Sequence, residues 1–196
     1  MEERKHWLAL NMVVGVGKTL FHRLVRGFGS PKEVFRATPA DLMRIEGIGE
    51  KTAAEISRFE VDRHAERELR LVEKYQALLL TLLDPEYPCM LKVIHDLISV
   101  IYLKLNDLYE YPVPLAVVGT RQVTDYGRAI GESLAHGLAE RGVAIVSGLA
   151  RGINTIAHRA ALKAGGSTVA VFGWGLHILI HQKIAACGWP SRSAER

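Results

Sequence analysis

Residues 143–158 read Val143-Ala144-Ile145-Val146-Ser147-Gly148-Leu149-Ala150-Arg151-Gly152-Ile153-Asn154-Thr155-Ile156-Ala157-His158. The run Val143–Val146 is short, apolar and β-branched, which marks a buried strand. A glycine-bearing loop with an arginine follows, and from Thr155 a helix begins whose Ala157, Ala161 and Ala164, with Leu162, fall on one face. That helix ends at Gly165-Gly166, and a second apolar run, Thr168–Phe172, comes next. The same order stands upstream: Leu115–Val118 as a strand, Gly119-Thr120-Arg121 as its loop, then a helix with Ile130, Leu134 and Leu138 in a stripe and Gly142 at its C′ position. Strand–helix–strand–helix–strand implies a parallel sheet with right-handed crossovers. Two earlier apolar runs, Ala77–Leu83 and Ile98–Leu103, read as further buried strands.

In an open parallel sheet, ligands bind beyond the carboxyl ends of the strands. Three such ends carry glycine here. After Leu115–Val118, Gly119 allows a sharp turn, Thr120 offers a hydroxyl and Arg121 a guanidinium suited to phosphate, ahead of Thr124-Asp125-Tyr126-Gly127-Arg128. After Val143–Val146, Ser147, Gly148 and Gly152 leave backbone amides open, Arg151 adds charge, and the following helix aims its positive end at the same place. The third is Phe172-Gly173-Trp174-Gly175-Leu176-His177. Each alone is an ordinary strand-to-helix turn; in succession they would share one crevice. Trp174 could stack on a base or face the core.

The first sixty residues read as helices separated by glycine turns. Phe21, Leu24, Val25 and Phe28 recur at helical spacing, as do Leu42 with Ile45 and Ala53, Ile56 and Phe59. Ser30-Pro31 and Thr38-Pro39 are helix starts, and a charged helix over about 58–75 leads onward. Gly15-Val16-Gly17 and Gly47-Ile48-Gly49 each precede a helix and resemble helix-hairpin-helix turns, which hold a phosphate oxygen on backbone N–H groups or serve protein contacts. The expected architecture is α/β: an N-terminal all-α helix-hairpin-helix or SAM-like module over 1–75 and a Rossmann-like parallel sheet over 76–196.

The 196 residues carry a net charge of +4, unevenly spread. Residues 112–196 hold nine basic and four acidic side chains, and 141–194 contain no Asp or Glu at all. The excess sits with the glycine loops, as phosphate recognition would require, although a solvated basic face has the same composition. No apolar run approaches the roughly 20 residues that span a bilayer, and the start Met1-Glu-Glu-Arg-Lys is unlike a signal peptide. Two cysteines, Cys89 and Cys187, lack metal-ligand spacing and suit a reducing compartment, hence a cytoplasmic location.

Several enzyme motifs fail residue by residue. Gly17-Lys18-Thr19 would need glycine, not Met12, to open a P-loop, and a preceding strand. Ile145 stands where a nucleophile elbow around Ser147 needs glycine, and Ile178 where a dinucleotide fingerprint from Gly173 needs its third. His158 has no acid near it in sequence and reads as a packing histidine rather than a general base. No catalytic residue, cofactor or metal is expected.

Taken in order, Gly119-Thr120-Arg121, Tyr126-Gly127-Arg128, the Ser147–His158 block and Gly173-Trp174-Gly175-Leu176 resemble the DprA/Smf family of DNA-processing proteins. Asp84-Pro85-Glu86-Tyr87-Pro88 resembles that family's entry into its domain. The resemblance implies single-stranded DNA binding without sequence reading, self-association as a homodimer, protection of incoming DNA, and delivery of the strand to the RecA recombinase in natural transformation. It implies DNA or phosphate contacts at Gly119, Thr120, Arg121, Ser147, Gly148, Arg151, Gly152, Asn154, Gly173 and Gly175. This chain has Asn154 where the family has Asp, a change that keeps an N-cap residue and removes a negative charge beside an anion site. It also has His177 for the family's Asp, and Asp96-Leu97-Ile98 for Asp-Pro-Pro. The residues after His177 match no family pattern, which points to a truncated or frameshifted product. The other readings of the same residues are a Rossmann-fold enzyme that binds or hydrolyses nucleotides, and a scaffold whose DNA site has decayed.

Overall fold

The computed structural model of the chain describes residues 2–104, 113–171 and 173. By compactness the chain divides into two units, Met1–Asn106 and Asp107–Arg196.

The first unit opens with six helices: α1 (Glu2–Met12), α2 (Lys18–Phe28), α3 (Pro31–Arg36), α4 (Pro39–Leu42), α5 (Glu50–Arg58) and α6 (Val61–Lys74). The starts at Ser30 and Thr38 are N-caps, with the hydroxyls accepting from Glu33 N at 3.3 Å and Asp41 N at 3.2 Å. Phe21 and Leu24 of α2 and Ala53 and Ile56 of α5 join Trp7, Leu10, Val34 and Leu42 in one core, so the helical spacing read from sequence is the spacing that is buried.

The two glycine turns have one geometry. Gly15 and Gly47 both have φ +90°, a conformation that favours glycine. Val16 and Ile48 are buried, and Gly17 and Gly49 are the N-caps of α2 and α5, neither with a side-chain cap. The turns also pack reciprocally: a Cβ on Gly15 would lie 3.2 Å from Thr52 Oγ1, and one on Gly47 2.9 Å from Leu20 Cδ2. Thr52 and Leu20 stand at the same offset from their own turns, so each hairpin seats its glycine on the other's helix.

Strand β1 (Leu78–Thr81) pairs antiparallel with β2 (Val100–Leu103) in a sheet of two. The sequence placed these runs in the Rossmann-like domain; here they form a separate sheet within the first unit, packing Leu79 and Val100 on Leu8 and Ala65. Only a 3-10 turn, Cys89–Lys92, lies between them, and a parallel pair needs a longer crossover, usually a helix. The Asp84–Pro88 motif holds this hairpin's loop. Asp84 is buried and accepts from Thr81 N at 2.7 Å and Thr81 Oγ1 at 2.9 Å, Arg4 pairs with the same carboxylate, and Tyr87 donates to Ile98 O at 2.7 Å. Burial pushes the Asp84 carboxyl up, but those hydrogen bonds and the Arg4 charge together hold it below its ordinary value.

The second unit holds the parallel sheet β3 (Pro114–Ala116), β4 (Ala144–Gly148) and β5 (Thr168–Val171), in the order β3-β4-β5 with β4 central. Helix α7 (Asp125–Glu140) links β3 to β4, and α8 (Ile153–Lys163) links β4 to β5. Thr124 caps α7 by accepting from Gly127 N at 3.1 Å, and Gly142 follows its last turn as expected. The fold is α/β, with a parallel sheet and an N-terminal helical module, as the sequence indicates.

One helix face departs from expectation. Ile130 and Leu134 are 50% and 53% exposed, while Ala135 and Ala139 are the buried residues of α7. Gly131, Ala135 and Ala139 let α7 approach α8 closely: a Cβ on Gly131 would sit 3.2 Å from Ile153 Cδ1. Small residues win that face because two helices share it, and the core they close contains Val117, Ile145, Ala157, Ala160 and Ala161. Among the described residues no helix is long and apolar enough to cross a membrane.

Candidate nucleic-acid interface

The carboxyl ends of β3 and β4 bring two of the three predicted loops together. Ile153 N donates to Thr120 O at 3.2 Å, joining the second loop to the first. Gly152, at φ +88°, lies so close that a Cβ there would stand 2.1 Å from Thr120 O and 2.7 Å from Arg121 Cα. No other residue type fits, because the obstacle is backbone. A Cβ on Gly119 would likewise lie 2.7 Å from Ile153 Cγ1. The two loops therefore form one backbone-to-backbone surface at the head of α8.

That surface is electropositive. Arg121 and Arg151 are both exposed and make no ion pair among the described residues. Gly152 caps α8 without a side-chain hydrogen bond. The N–H groups of Asn154 and Thr155 have no backbone acceptor among the described residues, and they add the partial positive charge of a helix start.

Other predicted contact residues do different work. Ser147 is buried, and its hydroxyl donates to Val117 O at 2.6 Å, tying β4 to β3 rather than facing a ligand. Thr120 Oγ1 donates to Gln122 O at 3.0 Å and accepts from Gln122 N at 3.1 Å, which holds the loop that presents Arg121. The helix starts at Ile153 rather than Thr155, so Asn154 sits inside its first turn and does not cap it. The Asn154 side chain lies over Gly148, where a Cβ would meet its Nδ2 at 2.9 Å, and its Oδ1 is buried with no partner among the described residues. Gly173 has no neighbour within 4 Å of its Cβ position among the described residues. Gly175, Trp174 and the residues around His177 lie outside the described residues, as does Cys187.

Sequence reading passed over Thr168 and the full set of contacts around His158. His158 is 2% exposed; its Nδ1 is 2.7 Å from Thr168 Oγ1 and its Nε2 3.2 Å from Gly148 O. Burial lowers its pKa, and the carbonyls of Gly148 and Ser147 oppose that shift without cancelling it. The only early signal was an isolated histidine on an alanine-lined helix face. Among the described residues no group of three or more His, Cys, Asp or Glu is placed to hold a metal ion.

Comparison with known proteins adds a relationship to this geometry. Residues 78–186 match the family described as DNA recombination-mediator protein A, a match that runs past His177, and residues 8–58 match the SAM-like helix-hairpin-helix tandem. Protein Smf of Synechocystis is 33% identical over 184 residues, which cover 90% of this chain and 46% of that protein. DNA processing protein DprA of Streptococcus pneumoniae is 40% identical over 118 residues, covering 60% of this chain and 39% of the relative. The X-ray structure of DNA processing protein A from Streptococcus pneumoniae superposes with a TM-score of 0.69 at 30% identity, covering 88% of this chain and 59% of that one. The chain thus spans less than half the length of those two sequence relatives.

Proposed function

The chain belongs to the DNA recombination-mediator protein A family, and from that premise we propose that it is a DNA-processing protein that binds single-stranded DNA through the loops at the head of α8. The observation that carries this reading is the joining of Gly119–Arg121 to Gly148–Gly152 beneath two exposed arginines with no acidic partner among the described residues. Two guanidiniums and a helix start recognise phosphates and ribose-phosphate spacing, not base edges, so binding is indifferent to sequence. Gly119, Arg121, Gly148, Arg151 and Gly152 form the contact surface, and Thr120, Ser147 and Asn154 shape it; Gly173 and Gly175 are further contact residues in this reading.

The wider role is protection of incoming DNA and loading of RecA recombinase in natural transformation and recombination, by a homodimer acting in the cytoplasm. Division into a helical module over 1–75 and a DNA-binding domain over 76–196 belongs to the same proposal, although by compactness β1 and β2 fall in the first unit. The role is binding rather than catalysis in this reading: His158, the histidine nearest these loops in sequence, is buried with its ring nitrogens facing Thr168 Oγ1 and Gly148 O.

A salt titration of fluorescent oligo-dT binding tests this. Affinity is expected to fall steeply with salt, with a log–log slope of about −0.7 per neutralised phosphate, and to drop in Arg121→Ala. Nucleotide turnover without oligo-dT binding would replace the proposal with an enzyme, and neither activity would leave a scaffold.

A further inference from the structure

His158, Thr168, Gly148 and Ile145 form a chain of three polar contacts inside the second unit. Thr168 Oγ1 is 2.7 Å from Ile145 O, His158 Nδ1 is 2.7 Å from Thr168 Oγ1, and His158 Nε2 is 3.2 Å from Gly148 O. Each contact needs one proton between its two heavy atoms. The two carbonyls can only accept, so the protons must come from the hydroxyl and the ring. A neutral imidazole and one hydroxyl supply two protons for three contacts; an imidazolium and the hydroxyl supply three. The neutral ring therefore leaves one contact open, and the charged ring closes all of them.

Burial opposes that charge, and among the described residues nothing anionic packs on the ring to offset it. Strands β4 and β5, on either side, carry no ionisable side chain. On α8 itself Arg159 and Lys163 are exposed. Helix α7, which packs on α8, carries Asp125, Arg128, Glu132, His136 and Glu140; Glu132 reaches across to Lys163 at 3.4 Å and His136 pairs with Glu140 on its own helix. An anion at the head of α8 would supply the missing counter-charge. His158 is five residues into the helix from Ile153, about 7.5 Å along the axis, and a charge acting on a buried ring is screened less than one between exposed groups. Its Nε2 contact is to Gly148, where the second loop begins.

We infer that His158 is a positioning residue that takes up a proton when a phosphate-bearing strand occupies the crevice of Gly119–Arg121 and Gly148–Gly152, so that strand binding and imidazole protonation favour each other. The coupling is reciprocal: the anion raises the proton affinity of His158, and the proton completes the bond that holds the start of the loop. The inference rests on the single-stranded DNA reading of this crevice.

Oligo-dT affinity measured by anisotropy from pH 8 to pH 5.5 at fixed ionic strength, on the full chain and on His158→Gln, tests it. In the unaltered chain affinity should rise toward low pH with a slope approaching tenfold per pH unit, the limit for uptake of one proton. His158→Gln should lose the steep part of that dependence. Equal slopes in the two proteins overturn the inference and leave the DNA reading standing, whereas absence of oligo-dT binding at every pH overturns both. Should His158→Gln fail to fold, NMR titration of the His158 ring in the unaltered chain decides: its pKa rises on saturation with oligo-dT, and an unchanged pKa overturns the coupling.

Discussion

The chain presents glycine turns ahead of helix starts in two places, and the two differ in charge. In the helical module Gly17 and Gly49 are uncapped N-caps, as Gly152 is in the second unit. Around the module's turns, however, acids stand among the cations. Lys18 pairs with Asp96 at 2.5 Å and Arg23 with Glu46 at 3.5 Å, and Glu50 occupies the first turn of α5. A carboxylate there already uses the favourable field of the helix start. At the head of α8 no acid follows from residue 141 to 194, and Arg121 and Arg151 stand exposed without an ion pair among the described residues. Uncapped glycine helix starts thus serve two ends, with Gly17 and Gly49 extended at φ −82° and −96° and Gly152 at φ +88°: reciprocal packing of hairpins in one place, and an open cationic surface in the other.

Substitutions can break this contrast or sharpen it. The largest effect is expected from Gly152→Val, which drives a side chain into Thr120 O and forces a positive φ on a β-branched residue. It should cost roughly 3 kcal/mol of stability in a denaturant melt and abolish oligo-dT binding. Arg121→Ala should leave stability unchanged and weaken oligo-dT binding by about 2 kcal/mol, roughly thirtyfold. A wild-type affinity in that variant would remove the charge argument. Asp84→Asn should lower the stability of the first unit by about 2 kcal/mol without changing oligo-dT affinity, separating its structural motif from the binding surface. Because the Asp84 carboxyl is held below its ordinary value, its contribution is present above the unfolded carboxylate range and is lost as pH falls through the lowered folded value.

His158 has the opposite chemistry in the second unit. Its pKa is lowered, so between the unfolded value of about 6.5 and that lower value the unfolded chain binds more protons. Stability of the strand-free protein should therefore fall as pH drops through this window and level off below it, and His158→Gln should flatten that part of the thermal-melt pH profile. The smallest effect belongs to Lys51→Ala in the helical module, expected to change oligo-dT binding by less than about threefold, as for an exposed charge at the edge of a site. A loss equal to that of Arg121→Ala would place the helical module in the interface.

Much of this was legible in the residues, because backbone demands leave a signature. The glycines that join loop to loop, the Ser30 and Thr38 caps and the three parallel strands follow from turn chemistry and apolar runs. What sequence misread were choices between partners. Ile130 and Leu134 look like a core stripe, yet the helix–helix approach selects Gly131, Ala135 and Ala139 instead. The Thr120 hydroxyl looks available for a ligand, yet it satisfies a nearby backbone group. The β1–β2 hairpin reads as two more sheet strands until the missing crossover helix is noticed.

Amide chemical-shift mapping with oligo-dT measures the contrast most directly. The account predicts that the largest perturbations fall on Gly119–Arg121 and Gly148–Thr155, with residues 15–19 and 47–52 little affected. Perturbations concentrated at those two hairpin turns, with the head of α8 unmoved, would contradict it.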